Sequence, residues 1–171
     1  MTVTTTMTTL NGPMLAELAR EGATTRRVLE RVPEEKLTWS PHPKSMSLGT
    51  LALHVAMIPG AIADLVAPPV HEVPTFTPPE GRSRDEILAA LERSLSAASA
   101  RLASWTDEYL NEEWKLVSGS QVIMALPRID MLRSVMLNHW YHHRGQLLVY
   151  LRLLDVPVPF VYGPSADERP F

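Results

Sequence analysis

The sequence predicts an all-α fold: an up-and-down-type four-helix bundle with a long proline-rich loop and an ordered proline-rich C-terminal tail. Four long segments each carry a stripe of apolar residues at helical spacing. Prolines, glycines and capping residues mark the ends of these segments. No repeat or linker divides the 171 residues, so we expect a single domain spanning 1–171.

The first two predicted helices span about 12–32 and 47–66. Pro33 ends the first helix, because proline lacks the backbone donor and disfavours helical geometry in the residue before it. Ser47 is the predicted N-cap of the second helix. Pro59, followed by glycine, should kink this helix or split it in two.

The next segment, 67–82, holds five prolines and shows no periodicity. A loop of this length in a compact domain is often a lid or a binding loop, and a strap across one end of the bundle is an equally open interpretation. The C-terminal segment VPVPFVYGPSADERPF predicts an ordered extension. The segment MTVTTTMTTL lacks the basic and apolar regions of a secretory signal and predicts a frayed terminus.

A capping box of Ser83 and Glu86 predicts the start of helix three, which extends to about Trp105. The segment 106–126 is the least regular part of the chain. It predicts a short helical turn followed by extended structure with a turn at Gly119.

Helix four is predicted from Pro127 to about Leu154 and is the longest and most apolar of the four. It carries a second apolar face, formed by Leu137, Leu148 and Leu151. A helix that is apolar on two sides is either central in its bundle or packed against a partner subunit. This face is one reason to expect a homodimer.

The composition excludes several classes of protein. A net charge of −3 without a basic stripe argues against nucleic acid or an anionic membrane as partner. The best apolar stretch, 48–66, is interrupted by His54, Pro59 and Asp64, so we predict no membrane span. The chain has no cysteine, so any thiol in its chemistry must come from a substrate or cofactor. We expect a cytoplasmic protein that acts on a small molecule.

Three histidines form the candidate functional site. His139 and His143 lie four residues apart on helix four, which places both imidazoles on one face. His54 lies at the edge of the apolar stripe of helix two. If the two helices face each other, three imidazole nitrogens converge on one point and can bind a divalent metal ion. The alternative is that these are buried polar residues with ordinary hydrogen-bond partners.

His142 is a competing partner for His139, at a spacing of three. The helical wheel favours His143, which falls within the stripe of Leu132, Met136 and Tyr150, whereas His142 falls on its border. The loop residues His42 and His71 are interpreted as surface residues and are left out of the predicted site.

Two further residues of helix four have open roles. Arg144 faces away from His139 and should snorkel, pair with an acid or lie in a subunit contact. Gln146 is near the site face and is expected either to hydrogen-bond a ligand or a group that supports a ligand, or to pack as an ordinary polar residue. No general base can be named, because nothing singles out any of the candidate carboxylates, Glu17, Asp64, Glu72 and Asp130.

Several motifs together resemble the DinB-like (DinB/YfiT-type) family of metalloenzymes. They are His54 at the end of MSLGTLALH, then HWYHHRGQL and VPFVYGPSADE, with Trp39-Ser-Pro upstream, and they cover nearly the whole chain. The resemblance implies a four-helix bundle, usually a homodimer, with His54, His139 and His143 as ligands. It also implies one divalent metal ion per chain, nickel or zinc above all. Several such proteins are thiol-dependent transferases that use bacillithiol, mycothiol or glutathione.

Two functional hypotheses follow. The first is a metal-dependent transferase or hydrolase, in which the three-histidine site activates a thiol or water for attack on a small electrophile. The second is a non-catalytic, metal-containing dimeric module for binding or stress response. Three protein ligands leave a coordination position open, which favours the first, because purely structural zinc sites are normally closed by four.

Overall fold

Four long helical elements form the body of the protein in a computed structural model that describes residues 9–75, 77 and 79–169. They are α1 (Asn11–Leu29), α2 (Leu48–Val66), α3 (Arg84–Ser104) and a C-terminal rod. The rod comprises α5 (Arg128–Met131), a π-helical segment (Leu132–Asn138) and α6 (His139–Leu153), and the short helix α4 (Asp107–Asn111) precedes it. The predicted all-α class is confirmed. All but the last two residues of the predicted frayed segment, 1–10, lie outside the described residues.

The predicted helix starts agree closely with the structure. The side chain of Ser47 accepts a hydrogen bond from the backbone N–H of Thr50, and Ser83 accepts one from Glu86 in the same way. The Glu86 carboxylate bonds the N–H of Arg82 rather than that of Ser83, so the capping box is only half formed. The first helix ends at Leu29, three residues before the predicted end at 32.

The directions of the helices require a long crossover between α2 and α3. Gly60 of α2 lies beside Ser94 of α3, and further along both helices Asp64 pairs with Arg101 at 3.0 Å, so α2 and α3 run parallel. By contrast, α1 is antiparallel to α3, since its start contacts the end of α3 through Asn11 and Leu102. The connection from 67 to 83 therefore returns the chain along the whole bundle, as crossover connections do in other four-helix bundles.

A small sheet lies beside the bundle, in addition to the predicted helices. Strand β1 (Val70–Glu72) pairs in parallel with β2 (Glu113–Ser118), which forms an antiparallel hairpin with β3 (Gln121–Pro127). The predicted turn at Gly119 is confirmed and has a φ of +57°, which glycine adopts without strain. Strand β1 was not predicted; it places part of the 67–82 loop in a hydrogen-bonded sheet.

Pro59 leaves a backbone acceptor without its helical partner, and the neighbouring helix supplies a donor. Of the two predicted effects of Pro59, a kink or a split, the split does not occur: α2 continues through Pro59. Proline has no N–H, so the carbonyl of Val55, four residues earlier, loses its intrahelical hydrogen bond. The buried indole N–H of Trp140 donates to this carbonyl at 2.8 Å. This bond places His54, the residue before Val55, opposite His139, the residue before Trp140.

The proline-rich C-terminal tail is ordered up to residue 169, as predicted, because it is tied to α1 and α6. Arg27 of α1 pairs with Glu168 at 2.6 Å and lies over the ring of Phe160. Arg152 of α6 pairs with Asp167. The hydroxyl of Tyr162 contacts the buried Arg144.

The second apolar face of helix four lies inside the protein. Leu137 and Leu151 are fully buried, and Leu148 packs against the core. The rod is therefore central within its own bundle, and this face gives no support for a partner subunit. The exposed apolar residues of α6 are instead Val149 and Leu153, each 58% exposed.

Helix α2 is apolar because it crosses the core. Its length and composition alone would permit a membrane span, but 67% of its apolar 18-residue stretch is buried inside the protein. That burial is the property of a core helix, in agreement with the predicted absence of a membrane span.

The bond between Trp140 and Val55 can be tested by comparing two tryptophans. We expect Trp140→Phe to lower the free energy of unfolding by about 1–3 kcal/mol more than Trp114→Phe. Both residues are fully buried, but the indole N–H of Trp114 has no partner among the described residues. Urea unfolding followed by circular dichroism measures the difference, and equal losses would contradict the assigned role of the hydrogen bond.

Candidate metal centre

Helices α2 and α6 bring three histidine rings together. The ring centroids of His54 and His143 are 4.6 Å apart, those of His139 and His143 4.3 Å, and those of His54 and His139 5.5 Å. The three ring planes are nearly perpendicular to one another, at 80–88°. One nitrogen of each ring lies within 4.8 Å of the others. The sequence-predicted residues therefore share one point in space.

The segment directly before His139 is π-helical, over Leu132–Asn138. The sequence predicted an α-helix through this segment. A π-helical turn hydrogen-bonds over five residues rather than four, and such turns are frequent at functional sites. Leu132, Met136 and Leu137 remain buried along this segment. The wider turns thus keep the apolar side chains in the core up to the first histidine of the site.

Gln146 determines which nitrogen of His143 carries the proton. Its side-chain oxygen lies 2.7 Å from Nδ1 of His143. An amide oxygen can only accept, so Nδ1 donates and Nε2 keeps its lone pair. Metal-binding histidines commonly have such an acceptor on their second nitrogen. Of the two predicted roles of Gln146, contact with a candidate ligand is the one the structure shows.

The three imidazoles are held in the neutral form. Burial, followed by the charges of His143 and His139, lowers the pKa of His54 from 6.5 to about 4. Burial also lowers the pKa values of His139 and His143, and His142 adds to both effects. Neutral imidazoles present lone pairs at pH 7, and only the neutral form binds a metal ion.

This donor set fits a divalent transition-metal ion. Three neutral nitrogens from two rigid helices lie close together, and His143 has a fixed tautomer. Imidazole ligands suit zinc, nickel, copper and iron, whereas calcium and magnesium prefer oxygen. Three ligands also leave at least one coordination position for a substrate or water.

An apolar cavity of about 440 Å³ adjoins this centre. Five apolar side chains of α2 line it, together with Pro74 and Pro79 from the 67–83 connection. The polar residues of the wall are His54, His139, His71 and Asp64. The proline-rich loop is therefore part of the cavity wall, beside the three histidines.

The other histidines differ in their positions. His142 is exposed, which agrees with its predicted place at the rim, although its ring is 5.0 Å from that of His143. His42 is exposed, as predicted. The prediction that His71 is an ordinary surface residue is wrong, since it is half-buried and lines the cavity. No local pattern pointed to it, because strand β1 exists only through pairing with β2.

Arg144 pairs with an acid, one of its three predicted roles. It is buried, and its guanidinium lies 2.6 Å from Glu21 and 3.1 Å from the hydroxyl of Thr25. These contacts tie α6 to α1 on the side away from the candidate metal centre. Burying both partners makes this ion pair costly to break.

The candidate carboxylates have partners other than the three histidines. Glu17 binds Arg133 and Tyr141, and Asp64 pairs with Arg101. Glu72 accepts a hydrogen bond from the backbone N–H of Gly119. The backbone carbonyl of Asp130 accepts a hydrogen bond from the hydroxyl of Ser134. None of these contacts orients a site histidine.

The solved structures that this chain resembles have the same fold. A DinB-like protein from Bacillus cereus ATCC 10987 superposes with a TM-score of 0.68 at 25% identity, covering 86% of this chain and 95% of that one. The DinB-like protein YjoA from Bacillus subtilis gives a TM-score of 0.65 at 17% identity, covering 92% of this chain and 99% of that one.

The sequence comparisons agree. The uncharacterized protein YrdA from Bacillus subtilis (strain 168) is 28% identical over 152 residues, which are 86% of this chain and 85% of YrdA. The model of the DinB family matches residues 1–169. The chain therefore belongs to the DinB family.

Proposed function

We propose that this protein is a metal-dependent enzyme in which His54, His139 and His143 hold one divalent ion, nickel or zinc. The observation that carries the proposal is the convergence of three neutral imidazoles at an apolar cavity of about 440 Å³. A bound divalent ion would supply Lewis acidity at the open end of the centre. The substrates are a low-molecular-weight thiol or water as nucleophile and a small electrophile.

The contribution of the protein's own residues is binding and exclusion of water. The side chains of α2 and the prolines of the connection give the cavity a mainly apolar wall. Such a wall binds an apolar electrophile and strengthens electrostatic interactions within the site. Because the chain has no cysteine, a thiol nucleophile has to enter from solution.

A second candidate function is a non-catalytic, metal-containing dimeric binding or stress-response module. The observation in its favour is the exposed pair Val149 and Leu153 on α6, which a second copy of the chain would cover. Under this hypothesis, removal of the metal by a chelator destabilises the protein, and the metal-loaded form turns over none of the probes.

The first experiment compares two adjacent histidines. We expect purified protein to contain about one zinc or nickel ion per chain by elemental analysis. His143→Ala should lower metal affinity by more than about 100-fold and abolish transfer of 2-mercaptoethanol to an epoxide or alkyl halide. His142→Ala is the matched control and should retain both, because His142 is exposed at the rim. Full turnover in folded His143→Ala protein would exclude the proposed centre.

Gln146 provides a second test. Gln146→Leu removes the acceptor that fixes the tautomer of His143. We expect metal affinity to fall by about 10–100-fold while the helix content stays the same. Competition with a chromophoric chelator measures the affinity, and an unchanged value would show that Gln146 does not orient the ligand.

The pH dependence of zinc affinity provides a third test. Since burial lowers the pKa values of His54, His139 and His143, their protons begin to compete with zinc only below the usual pKa of 6.5. Between pH 7 and 6 we expect a loss much smaller than the roughly 30-fold that three imidazoles of ordinary pKa would give. A steeper loss should follow as the pH approaches about 4, the pKa of His54. A 30-fold loss by pH 6 would contradict the neutral state of these rings.

A further inference from the structure

His71 occupies a fixed position in the wall of the cavity opposite the bundle. It lies on β1, which pairs with β2 so that His71 is in register with Leu116. The next residue, Glu72, accepts a hydrogen bond from the N–H of Gly119 at 2.7 Å, and Val73 donates to the carbonyl of Val117 at 2.8 Å. The sheet therefore holds this part of the proline-rich connection in place.

The tautomer of His71 is also determined. Its Nδ1 lies 2.6 Å from the backbone carbonyl of Glu72. A carbonyl oxygen only accepts, so Nδ1 donates and Nε2 retains the lone pair. Imidazole with one nitrogen bonded in this way is well suited to accept and return a proton near neutral pH.

His71 lines the same cavity as His54 and His139 without joining the metal-binding group. Among the described residues, the nitrogens within 4.8 Å of one another belong to His54, His139 and His143. His71 is therefore a further imidazole of the cavity wall, outside the candidate metal-binding group. A small molecule that fills the cavity would contact the wall formed by His71, His54 and His139.

The remaining wall offers few alternatives for proton transfer. Apart from the histidines, Asp64 is the one titratable residue that lines the cavity in the described part of the chain. Its side chain is 58% exposed and is already engaged in an ion pair with Arg101 at 3.0 Å. The other wall residues are apolar and cannot accept a proton.

We propose that His71 is a catalytic residue that accepts the proton of the thiol or water nucleophile at the three-histidine centre. This inference rests on the proposed function. The S–H or O–H bond breaks, its electron pair stays on sulfur or oxygen, and the proton passes to Nε2 of His71. The nucleophile then forms a bond to the electrophilic carbon, the bond from carbon to the leaving group breaks, and the leaving group takes the proton from His71.

The test measures protons rather than activity alone. Zinc-loaded full-length protein is titrated with 2-mercaptoethanol at about pH 7 by calorimetry in two buffers of different ionisation enthalpy. We expect His71→Gln to release up to one more proton per bound thiol than wild type, because that proton now enters the buffer. His42→Gln, at an exposed loop histidine, should behave like wild type. Turnover of His71→Gln should fall about 100-fold.

The outcomes distinguish this inference from the proposed function. If wild-type protein binds no zinc, both the proposed function and the role of His71 are excluded. His71→Gln should keep one zinc ion per chain, because His71 is not a ligand. Equal proton release by wild type and His71→Gln would overturn the role of His71 and leave the metal centre intact. Absence of thiol binding by zinc-loaded wild type would also overturn it, since no proton would then be released.

Discussion

A single hydrogen bond, from the indole of Trp140 to the carbonyl of Val55, is the constraint on which the geometry of the site depends. Pro59 creates the need for it by removing the helical donor for that carbonyl. Because both groups are buried, leaving either without a partner would be costly. The bond joins the residue after His54 to the residue after His139, so the register between α2 and α6 is set next to the candidate ligands. On the other side of α2, the hydroxyl of Ser94 accepts from the N–H of Gly60 and donates to the carbonyl of Met57.

Close packing around this bond also determines the chemistry of the histidines. A side chain on Gly60 would meet the backbone of Ser94 at about 2.9 Å, so the approach of α2 and α3 requires glycine there. The resulting burial disfavours imidazolium and keeps the three rings neutral, with their lone pairs available. The same apolar surroundings form most of the cavity wall, and among the described residues His71 and Asp64 are its polar members besides the candidate ligands. The close packing that stabilises the fold therefore also keeps the candidate ligands in their neutral form.

The candidate site could be predicted in part from local periodicity. A spacing of four places His139 and His143 on one face, and the helical wheel distinguishes His143, which is buried, from His142, which is exposed. The contact of Gln146 with His143 follows from their spacing of three on the same helix. His71 could not be found in this way. It lies in a segment without periodicity, and it reaches the cavity only because β1 pairs with a strand more than forty residues further along the chain.

Local patterns in the sequence were enough to predict the helical class, the caps at Ser47 and Ser83, the turn at Gly119 and the faces of individual helices. These features depend on residues within a few positions of one another, where side-chain spacing and backbone preferences act directly. Long-range packing, by contrast, sets the parallel course of α2 and α3, the π-helical segment before His139 and the burial of the second apolar face of the rod. Each of these depends on which distant surfaces meet, because apolar burial is non-directional and a stripe of leucines does not specify its partner.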